Sequence, residues 1–413
     1  MIKKYMKLWF CILFIALVST ACNKKSDERV EITLIHGWGN MEEDHEAMRR
    51  IYKDFEELHP EIHINLISMP SSTDVISKVG DLLTVGQIPD IVFTGGDGRE
   101  SIYDFMVQKG YAVDLYPYIQ EDEQFIDNIS PSILNYWMTE EGQLYTVSDV
   151  LLMSGGYWYN VDLFEQAGIQ DYPKTWEAFI EACRKLQEYG AQQNKQLNPL
   201  FLDDENVIYL TDAMIADLDM NELEQVEINK VNLESDTFMK VMQQLESIAE
   251  YSDIADAYSF RDALLSFNEC ETAIYINGVW ANSMINKELN VKYAPFPTEE
   301  GNGISAISSC VGYVLGNTQD QKRIDASVQF VKYMLSDEVS ERILQETGQI
   351  PSNPNLEITE KYENPRLYQA VSCVKNADVI IEAPANLWNT MERNRFGENV
   401  ISYLNGEISY NEL

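Results

Sequence analysis

The side chains best suited to acid–base chemistry form no recognisable catalytic pattern in this sequence. All four histidines lie between His36 and His63. The chain contains no GxSxG turn, no Walker or GxGxxG phosphate loop and no HExxH metal motif. Its 67 acidic residues could always supply a carboxylate pair for hydrolysis, so their number favours no enzyme class. We therefore expect no catalysis, and we keep an exported carbohydrate-active enzyme as an alternative.

The four cysteines after residue 22 are the remaining candidates for metal or redox chemistry. Cys183, Cys270, Cys310 and Cys373 lie far apart, form no CxxC pair and have no histidine nearby in sequence. This spacing predicts neither a metal site nor a cofactor. Cys183 falls on the apolar face of a predicted helix, which favours a buried thiol. The sequence leaves the pairing of these cysteines open.

Alternating strands and helices begin at Val30. The predicted order is strand, helix, strand, helix, strand, at residues 30–34, 48–58, 62–66, 75–83 and 88–93. This order builds a parallel sheet with right-handed crossovers. Because ligands of such sheets bind beyond the carboxyl ends of the strands, three loops should meet in one region. These loops are residues 36–40, 69–73 and 94–99.

A second α/β unit is predicted after residue 143. Residues 144–160 form a long strand-like stretch, and Thr175 is the predicted N-cap of a helix that buries Trp176 and Cys183. Further along the chain, residues 203–260 are mostly helical, 272–276 form a strand, and 324–344 form one long helix that Gly348 closes.

The N-terminus has the three-part layout of a secretory signal. A basic start is followed by the apolar run Leu8–Val18 and then by small residues ahead of Cys22. The apolar run is too short to span a bilayer. The segment Ser19–Cys22 resembles a bacterial lipobox, in which the cysteine is acylated. This resemblance implies a signal peptide at 1–21, a tether at 22–29 and an extracytoplasmic, lipid-anchored protein; an uncleaved N-terminal anchor is the alternative.

Length and charge limit the possible partners. A chain of 413 residues exceeds the size of a single hydrophobic core, so two domains or lobes are expected. Without the three lysines of residues 1–21, the formal charge falls from −37 to −40. Such a surface repels nucleic acid and anionic lipid, and we expect neither as a direct binding partner.

Several segments together resemble family 1 extracellular solute-binding proteins, the carbohydrate-binding subunits of ABC importers. The most specific is YNVDLFEQAGIQDYPKTWEAFIEACRKL at 159–186. Others are ITLIHGWGN at 32–40, GQIPDIVFT at 86–94, FNECETAIYINGVW at 267–280, and the helix with its Gly-x-x-Pro element at 326–351. The matches follow the order of the family along nearly the whole mature chain.

This resemblance implies an α/β, two-lobed periplasmic-binding-protein-like (type II) fold with a ligand cleft between the lobes. The first lobe would comprise residues 30–146 and 311–349, and the second 147–310 and 350–413. A hinge motion would close the lobes on the ligand without any chemical step. The expected partners are a small-molecule ligand, a saccharide in the main interpretation, and the transmembrane subunits of an ABC permease. We expect a monomer.

A saccharide site needs flat rings against C–H faces and polar side chains for the hydroxyls. Trp280 leaves a strand through Asn277-Gly278, and Trp38 lies between two glycines at a strand exit. The resemblance implies stacking by Trp280 and by Trp388. It also places polar groups for ligand hydroxyls at loop and crossing positions. The predicted polar contacts are Asp97, Arg99, Asn40, His36, Asp149 and Asp203, with Asp204 or Glu205 as alternatives to Asp203.

Other ligands and roles remain open at this stage. The acidic region 203–260 would suit a peptide, a polyamine or another non-sugar solute on the same scaffold. Arg393 and Arg395 could pair with the carboxylate of an acidic sugar or merely offset the acidic surface. A lipoprotein sensor that hands its ligand to a membrane receptor is a further alternative.

Overall fold

The computed structural model describes residues 29–95, 102–195, 197–226, 231–254, 260–359, 364–388 and 390–413. Within these ranges, no helix combines the length and the apolar character needed to cross a membrane. Three β-sheets and their surrounding helices make up a mixed α/β structure.

The strands are β1 (Val30–His36), β2 (Ile62–Ser68), β3 (Ile91–Thr94), β4 (Thr146–Val147), β5 (Val150–Ser154), β6 (Gly156–Asn160), β7 (Asn198–Leu202), β8 (Ser252–Ile254), β9 (Thr272–Ile276), β10 (Val291–Pro295), β11 (Ile304–Ser308), β12 (Gly312–Leu315), β13 (Ile350–Pro351) and β14 (Val379–Glu382).

The α-helices are α1 (Glu43–Leu58), α2 (Ser72–Thr84), α3 (Ile102–Gln108), α4 (Tyr116–Gln120), α5 (Glu123–Asp127), α6 (Pro131–Trp137), α7 (Val161–Gln166), α8 (Trp176–Gln192), α9 (Asn206–Leu218), α10 (Met220–Val226), α11 (Asp236–Ala249), α12 (Phe260–Asn268), α13 (Gln321–Met334), α14 (Asp337–Arg342), α15 (Pro365–Lys375), α16 (Pro384–Leu387) and α17 (Thr390–Leu404). Short 3₁₀ turns span Val279–Ser283 and Tyr410–Glu412, and a π turn spans Ile343–Thr347.

The first sheet has the order β2-β1-β3-β12-β4. Strand β1 pairs in parallel with β2 and β3, as the sequence predicts, while β12 runs antiparallel between β3 and β4. Helix α1 buries Met48, Ile51 and Phe55 in the core of this sheet. The carboxyl ends of β1, β2 and β3 therefore lie at one edge. We call this body the first lobe.

The second sheet has the order β10-β6-β9-β7-β8. Strand β7 pairs in parallel with β8 and β9, with Leu200 opposite Ile274. Residues Asp203 and Asn277, which follow β7 and β9, therefore lie at neighbouring positions on one sheet edge. We call this body, with its own apolar core, the second lobe.

A third sheet, in the order β13-β5-β11-β14, contains the strands that lead from one lobe to the other. Ile350 and Pro351 pair with Leu151 and Val150. The Ser352 N–H also donates to the Asp149 carbonyl at 2.9 Å. Two crossing segments, residues 147–152 and 350–352, are thus bonded to each other side by side.

Local signals explain where the sequence predictions succeed. Thr175 caps α8 as predicted, since its Oγ1 accepts from the Ala178 N–H at 3.2 Å. Gly348 closes the π turn with a φ of +70°, as expected of a glycine in that place. Cys183 is completely buried, and no disulfide joins any of the four cysteines in the described ranges.

Two predicted elements are divided in the structure. The expected single helix over 324–344 is wrong: α13 ends at Met334, and the Ser336 side chain accepts from the Val339 N–H to start α14. A serine followed by acidic residues is a favourable helix start. At Ser336 this local preference starts a new helix instead of extending α13. The stretch 144–160 is broken at Gly155, whose φ is +72° and whose Cβ, if present, would lie 2.5 Å from the Ala306 nitrogen.

Candidate functional site

His36, the last residue of β1, is completely buried. Its Nδ1 accepts a hydrogen bond from the Trp38 backbone N–H at 3.1 Å, and its Nε2 lies 3.1 Å from Ser68 Oγ. Burial, followed by the charge of Arg49 and then His45, lowers the pKa of His36 to about 3. The ring is therefore neutral. Because Nδ1 accepts, Nε2 carries the proton and donates it to Ser68, so both ring nitrogens support the loop.

Trp38 is half-buried at the edge of the first lobe, where β1 ends. Its Nε1–H donates to the Tyr52 hydroxyl at 3.0 Å, and its ring packs against Phe93 and edge-on against His45. The Arg49 guanidinium donates to the Trp38 carbonyl. Contacts on several sides thus hold the ring in one orientation and leave part of its surface open.

Asn40 lies beside this ring and is also half-buried. Its Nδ2 donates to the Pro70 carbonyl at 3.1 Å, and its own carbonyl accepts from Arg49 at 2.9 Å. Gly39 makes the close approach possible, because a Cβ there would lie 2.3 Å from the Met69 carbonyl oxygen. The loops after β1 and β2 therefore meet, as predicted.

Asp149, in the first crossing segment, is completely buried. Its Oδ2 accepts a 2.6 Å hydrogen bond from the Tyr313 hydroxyl, which lies 3.0 Å from the Tyr52 hydroxyl. Burial raises the pKa of Asp149 to about 7, against the opposing effect of the Tyr313 bond. The carboxylate therefore points into the first lobe.

Asp203 directly follows β7, at the sheet edge of the second lobe where β7 and β9 end, and its side chain is buried. Its Oδ1 accepts from the backbone N–H groups of Glu205 at 3.0 Å and Asn206 at 2.7 Å, which fixes the start of α9. Burial, aided by the charges of Glu205 and Asp204, raises the pKa of Asp203 to about 7. Near neutral pH this carboxyl is present in both protonation states.

Glu205 is exposed, yet desolvation raises its pKa. The charge of Arg393 opposes this shift, and Tyr209 donates to Glu205 Oε1 at 3.3 Å. This edge of the second lobe therefore carries an acidic, a basic and a phenolic group together.

Tyr275 and Asn277 come from the neighbouring strand and complete this edge. Asn277 Nδ2 donates to the Tyr275 hydroxyl at 2.6 Å, and the charges of Asp203 and Glu205 help to raise the pKa of Tyr275. Neither Tyr275 nor Asn277 is among the site residues predicted from the sequence. The available signal was the position of Asn277 directly after a predicted strand.

Trp280 is half-buried on the 3₁₀ turn that follows β9. Its ring lies directly over Gly278, where a Cβ would be 2.1 Å from the ring carbon Cζ3. The Gly278 carbonyl in turn accepts from Trp158 Nε1 at 3.0 Å in the core. A glycine thus allows the ring to lie flat on the backbone of the turn.

Trp388 has only 6% of its surface exposed. Its Nε1 donates to Asp212 Oδ1 at 2.9 Å, and its ring packs on Phe396 with centroids 4.8 Å apart. Burial raises the pKa of Asp212 to about 7. Like His36 and Asp149, Trp388 is covered by protein in this structure. Ligand contact by these three stays a prediction that requires them to become exposed.

The two lobes touch close to both half-buried tryptophans. Ser283 Oγ lies 3.4 Å from Asp44 Oδ2, and Lys287 Nζ lies 2.9 Å from Glu43 Oε2. These residues border a recess of about 600 Å³ between the lobes. Since α1 begins soon after Trp38, and Ser283 ends the turn of Trp280, the contact brings the two aromatic edges to the same side of the molecule.

Three predicted residues lie outside the described part of the chain: Asp97, Arg99 and Cys22. Within the described ranges, no group of three or more histidine, cysteine, aspartate or glutamate side chains is arranged to hold a metal ion. The candidate site as described contains aromatic rings, amides, carboxyl groups and the guanidinium groups of Arg49 and Arg393.

Comparison with known proteins gives one matching family. Residues 38–341 match the family model described as bacterial extracellular solute-binding protein. The multiple sugar-binding protein of Streptococcus mutans is 22% identical over 340 residues, covering 77% of this chain and 75% of that protein.

Solved structures show the same fold over nearly the whole chain. A Streptococcus pneumoniae solute-binding protein in complex with the blood group A-trisaccharide is 20% identical, with a TM-score of 0.75, and the match covers 92% of this chain and 97% of the other. A chitin oligosaccharide binding protein is 18% identical, with a TM-score of 0.76, and the match covers 93% and 96%. These likenesses show the two-lobed architecture.

Proposed function

Because this chain belongs to the bacterial extracellular solute-binding proteins, we propose that it captures a saccharide between its lobes and presents it to an ABC permease. The observation that carries the proposal is the pair of half-buried tryptophans. Trp38 follows a strand of the first lobe, Trp280 follows a strand of the second, and the lobes touch beside both. The proteins of similar sequence and structure described above bind sugars, as their names state.

The site chemistry suits a neutral polyhydroxylated ligand. An aromatic ring from each lobe offers a flat apolar face to sugar C–H groups. Asn40 and Asn277 can both donate and accept hydrogen bonds, and a carboxyl group with a pKa of about 7, such as that of Asp203, can do the same near neutral pH. A hydroxyl needs partners of both kinds.

A cationic solute is the second candidate, because the carboxyl groups of Asp203 and Glu205 lie at the same edge of the second lobe. The raised pKa of Asp203 weakens this candidate, since a carboxyl that is partly protonated at neutral pH attracts a cation less. Arg393 adds a positive charge to this edge. The balance favours a saccharide over a polyamine or a basic peptide.

The remaining elements of the proposal follow from the family and the N-terminal sequence. They are an extracytoplasmic location, acylation at Cys22 after removal of residues 1–21, a monomeric state and binding without catalysis. Asp97 and Arg99 are proposed as further contacts for ligand hydroxyls. Lobe boundaries near residues 146, 310 and 349 are part of the same proposal.

The test is a thermal-shift screen followed by calorimetry. The panel contains maltotriose, raffinose, chitotriose, xylotriose and the blood group A-trisaccharide, with spermidine and a basic tripeptide for the cationic alternative. A ligand at 100 times its Kd should stabilise the protein by about 2.7 kcal/mol. A shift with spermidine but with no saccharide would replace the main proposal by the cationic one, and release of reducing sugar at a catalytic rate would show an enzyme.

A matched pair of variants locates the site. Trp280→Ala should weaken saccharide binding about 10- to 100-fold, because a buried aromatic side chain contributes about 1.5–3 kcal/mol. Phe105→Ala removes an exposed ring from the first lobe and should leave the affinity unchanged. Equal effects of both substitutions would remove Trp280 from the proposed site.

A further inference from the structure

Four side chains form a hydrogen-bonded chain that connects the surface of the cleft with the crossing segments. Trp38 Nε1–H donates to the Tyr52 hydroxyl at 3.0 Å, Tyr52 and Tyr313 hydroxyls lie 3.0 Å apart, and Tyr313 donates to Asp149 Oδ2 at 2.6 Å. All but Trp38 are completely buried. The chain thus runs from a half-exposed ring, through the core of the first lobe, to the hinge.

The direction of the hydrogen bonds follows from the groups at its ends. An indole N–H only donates and an ionised carboxylate only accepts. Burial raises the pKa of both tyrosines well above 10, so each hydroxyl keeps one proton. Tyr52 must therefore accept from Trp38 and donate to Tyr313, and Tyr313 must donate to Asp149. The indole N–H, both hydroxyl groups and Asp149 Oδ2 then each have a partner.

From this geometry we infer that Tyr52, Tyr313 and Asp149 are positioning residues that set the orientation of the Trp38 ring according to the charge of the hinge carboxylate. The inference deepens the proposed function, because Trp38 is one of the two rings assigned to the saccharide. None of the three positioning residues needs to touch the ligand.

Protonation of Asp149 would disturb the chain at its acceptor end. A proton on Oδ1 would leave Oδ2 as a neutral and weaker acceptor for Tyr313. A proton on Oδ2 would be donated to Tyr313 and would reverse the bond between the two tyrosines. Tyr52 would then receive hydrogen bonds from both Tyr313 and Trp38, and its own proton would lose its acceptor. Asp149 Oδ1 is buried without a hydrogen-bond partner among the described residues, so the carboxyl has little else to stabilise either form.

Among the groups in the hydrogen-bonded chain and those that contact it near the crossing segments, Asp149 is the one that titrates near neutral pH. Tyr313 on β12 is its side-chain partner, Tyr52 on α1 lies beyond, and the Ser352 N–H of the second crossing segment bonds only its backbone. No lysine or arginine in the described ranges forms an ion pair with Asp149.

Two histidines contact the other end of the hydrogen-bonded chain, at Tyr52 and Trp38. His36 lies edge-on to Tyr52, and its low pKa keeps it neutral. His45 lies edge-on to Trp38, with Glu42, Asp44, Arg49 and Arg261 close enough to affect it. Burial lowers the pKa of His45 below its usual value, whereas burial raises the pKa of Asp149 to about 7. Substitution of Asp149 therefore separates the two groups, because only the titration of His45 remains in Asp149→Asn.

The first experiment needs no ligand. In ¹⁵N-tryptophan-labelled protein, the indole N–H resonance of Trp38, assigned with Trp38→Phe, is followed from pH 5.5 to 8.5. We expect it to shift with a midpoint near 7 in the wild type and in Tyr333→Phe, but not in Asp149→Asn or Tyr52→Phe. Tyr333→Phe is the matched control. The Tyr333 hydroxyl donates to the Ile51 carbonyl on α1, the helix that also carries Tyr52, and it makes no hydrogen bond to Trp38.

The second experiment measures affinity for the panel saccharide that gives the largest thermal shift. Loss of the hydrogen bond between Trp38 and the Tyr52 hydroxyl in Tyr52→Phe should weaken binding about 3- to 10-fold at pH 8, with no change in Tyr333→Phe. Wild-type binding should weaken by a similar factor from pH 8 to pH 6. Binding by Asp149→Asn should weaken less over this range, because only the contribution of Asp203, whose pKa is also about 7, then remains.

The outcomes separate the two proposals. A Trp38 resonance that is independent of pH, or that titrates equally in Tyr52→Phe, overturns the positioning chain even if a saccharide binds. A resonance that titrates as expected in a protein that binds no saccharide supports the chain and refutes the proposed function instead.

Discussion

The contact between Gly278 and the Trp280 ring allows a substitution that acts on the ring alone. Gly278 has φ −74° and ψ 174°, which alanine adopts without strain. A Cβ at this position would lie 2.1 to 2.3 Å from three ring carbons of Trp280. Since carbon atoms pack at about 3.5 Å, the ring must move by about 1.4 Å or rotate away. Gly278→Ala therefore displaces the ring and keeps its chemistry.

The expected loss of affinity is close to that of removing the ring. A displaced ring forfeits its stacking geometry and most of its burial against the sugar, together about 1–2.5 kcal/mol, so binding should weaken roughly 5- to 70-fold. Calorimetry with the panel saccharide measures this change, and the emission of Trp280 should report greater exposure to solvent.

Gly80→Ala is the matched control, because a Cβ at that site of α2 meets nothing within 4 Å. It should stabilise the protein by about 0.5–1 kcal/mol and leave the affinity unchanged. If Gly278→Ala binds within twofold of the wild type while Trp280→Ala does not, the ring is not held in the bound position by this glycine, and the argument from its close contact fails.

Three other predictions concern stability and closure. Asp149, Asp203 and Asp212 each have a pKa raised by burial from 3.8 to about 7, so between those values the folded state binds more protons than the unfolded one. The free energy of unfolding should therefore fall as pH rises from about 4 to 7, by up to about 1.4 kcal/mol per pH unit for each group. Urea titrations of the wild type and of Asp212→Asn measure this change. A wild type whose stability rises over this range contradicts the prediction. Glu43→Lys and Lys287→Glu should each weaken saccharide binding about two- to fivefold, because each breaks an exposed ion pair between the lobes. The double variant restores the pair with reversed charges and should recover the wild-type affinity. Calorimetry at low and high salt measures both effects. Thr175→Ala should cost about 1 kcal/mol of stability through the lost cap of α8 without changing affinity, and a change in affinity would place this helix in the site.

The fold was predictable where short segments carry strong local signals. The alternation of apolar residues in β1 and β2, the cap at Thr175 and the glycine at 348 each specify one structure. The break at Ser336 was missed because the apolar spacing continues through it. The exact course of the crossing segments depends on pairing between residues that are about two hundred positions apart.

The candidate site was only partly predictable, because exposure is decided by packing. His36, Asp149 and Trp388 have residue types that suit a ligand, but the structure uses their polar atoms internally. Trp38 lies between two glycines and Trp280 follows Gly278 by two residues, and both rings are half-buried in the structure. The buried chain through Tyr52 and Tyr313 has no sequence signature, since its members come from three distant segments.

The position of β12 has a consequence for the order in which the protein can fold. This strand lies between β3 and β4, although it follows them by more than 150 residues. Until residue 315 has been synthesised, β3 keeps an open edge and β4 has no neighbour in its sheet. The nascent polypeptide therefore carries an unfinished first lobe through most of its synthesis. An unpaired strand edge and exposed apolar surface make such an intermediate prone to aggregation until β12 is in place.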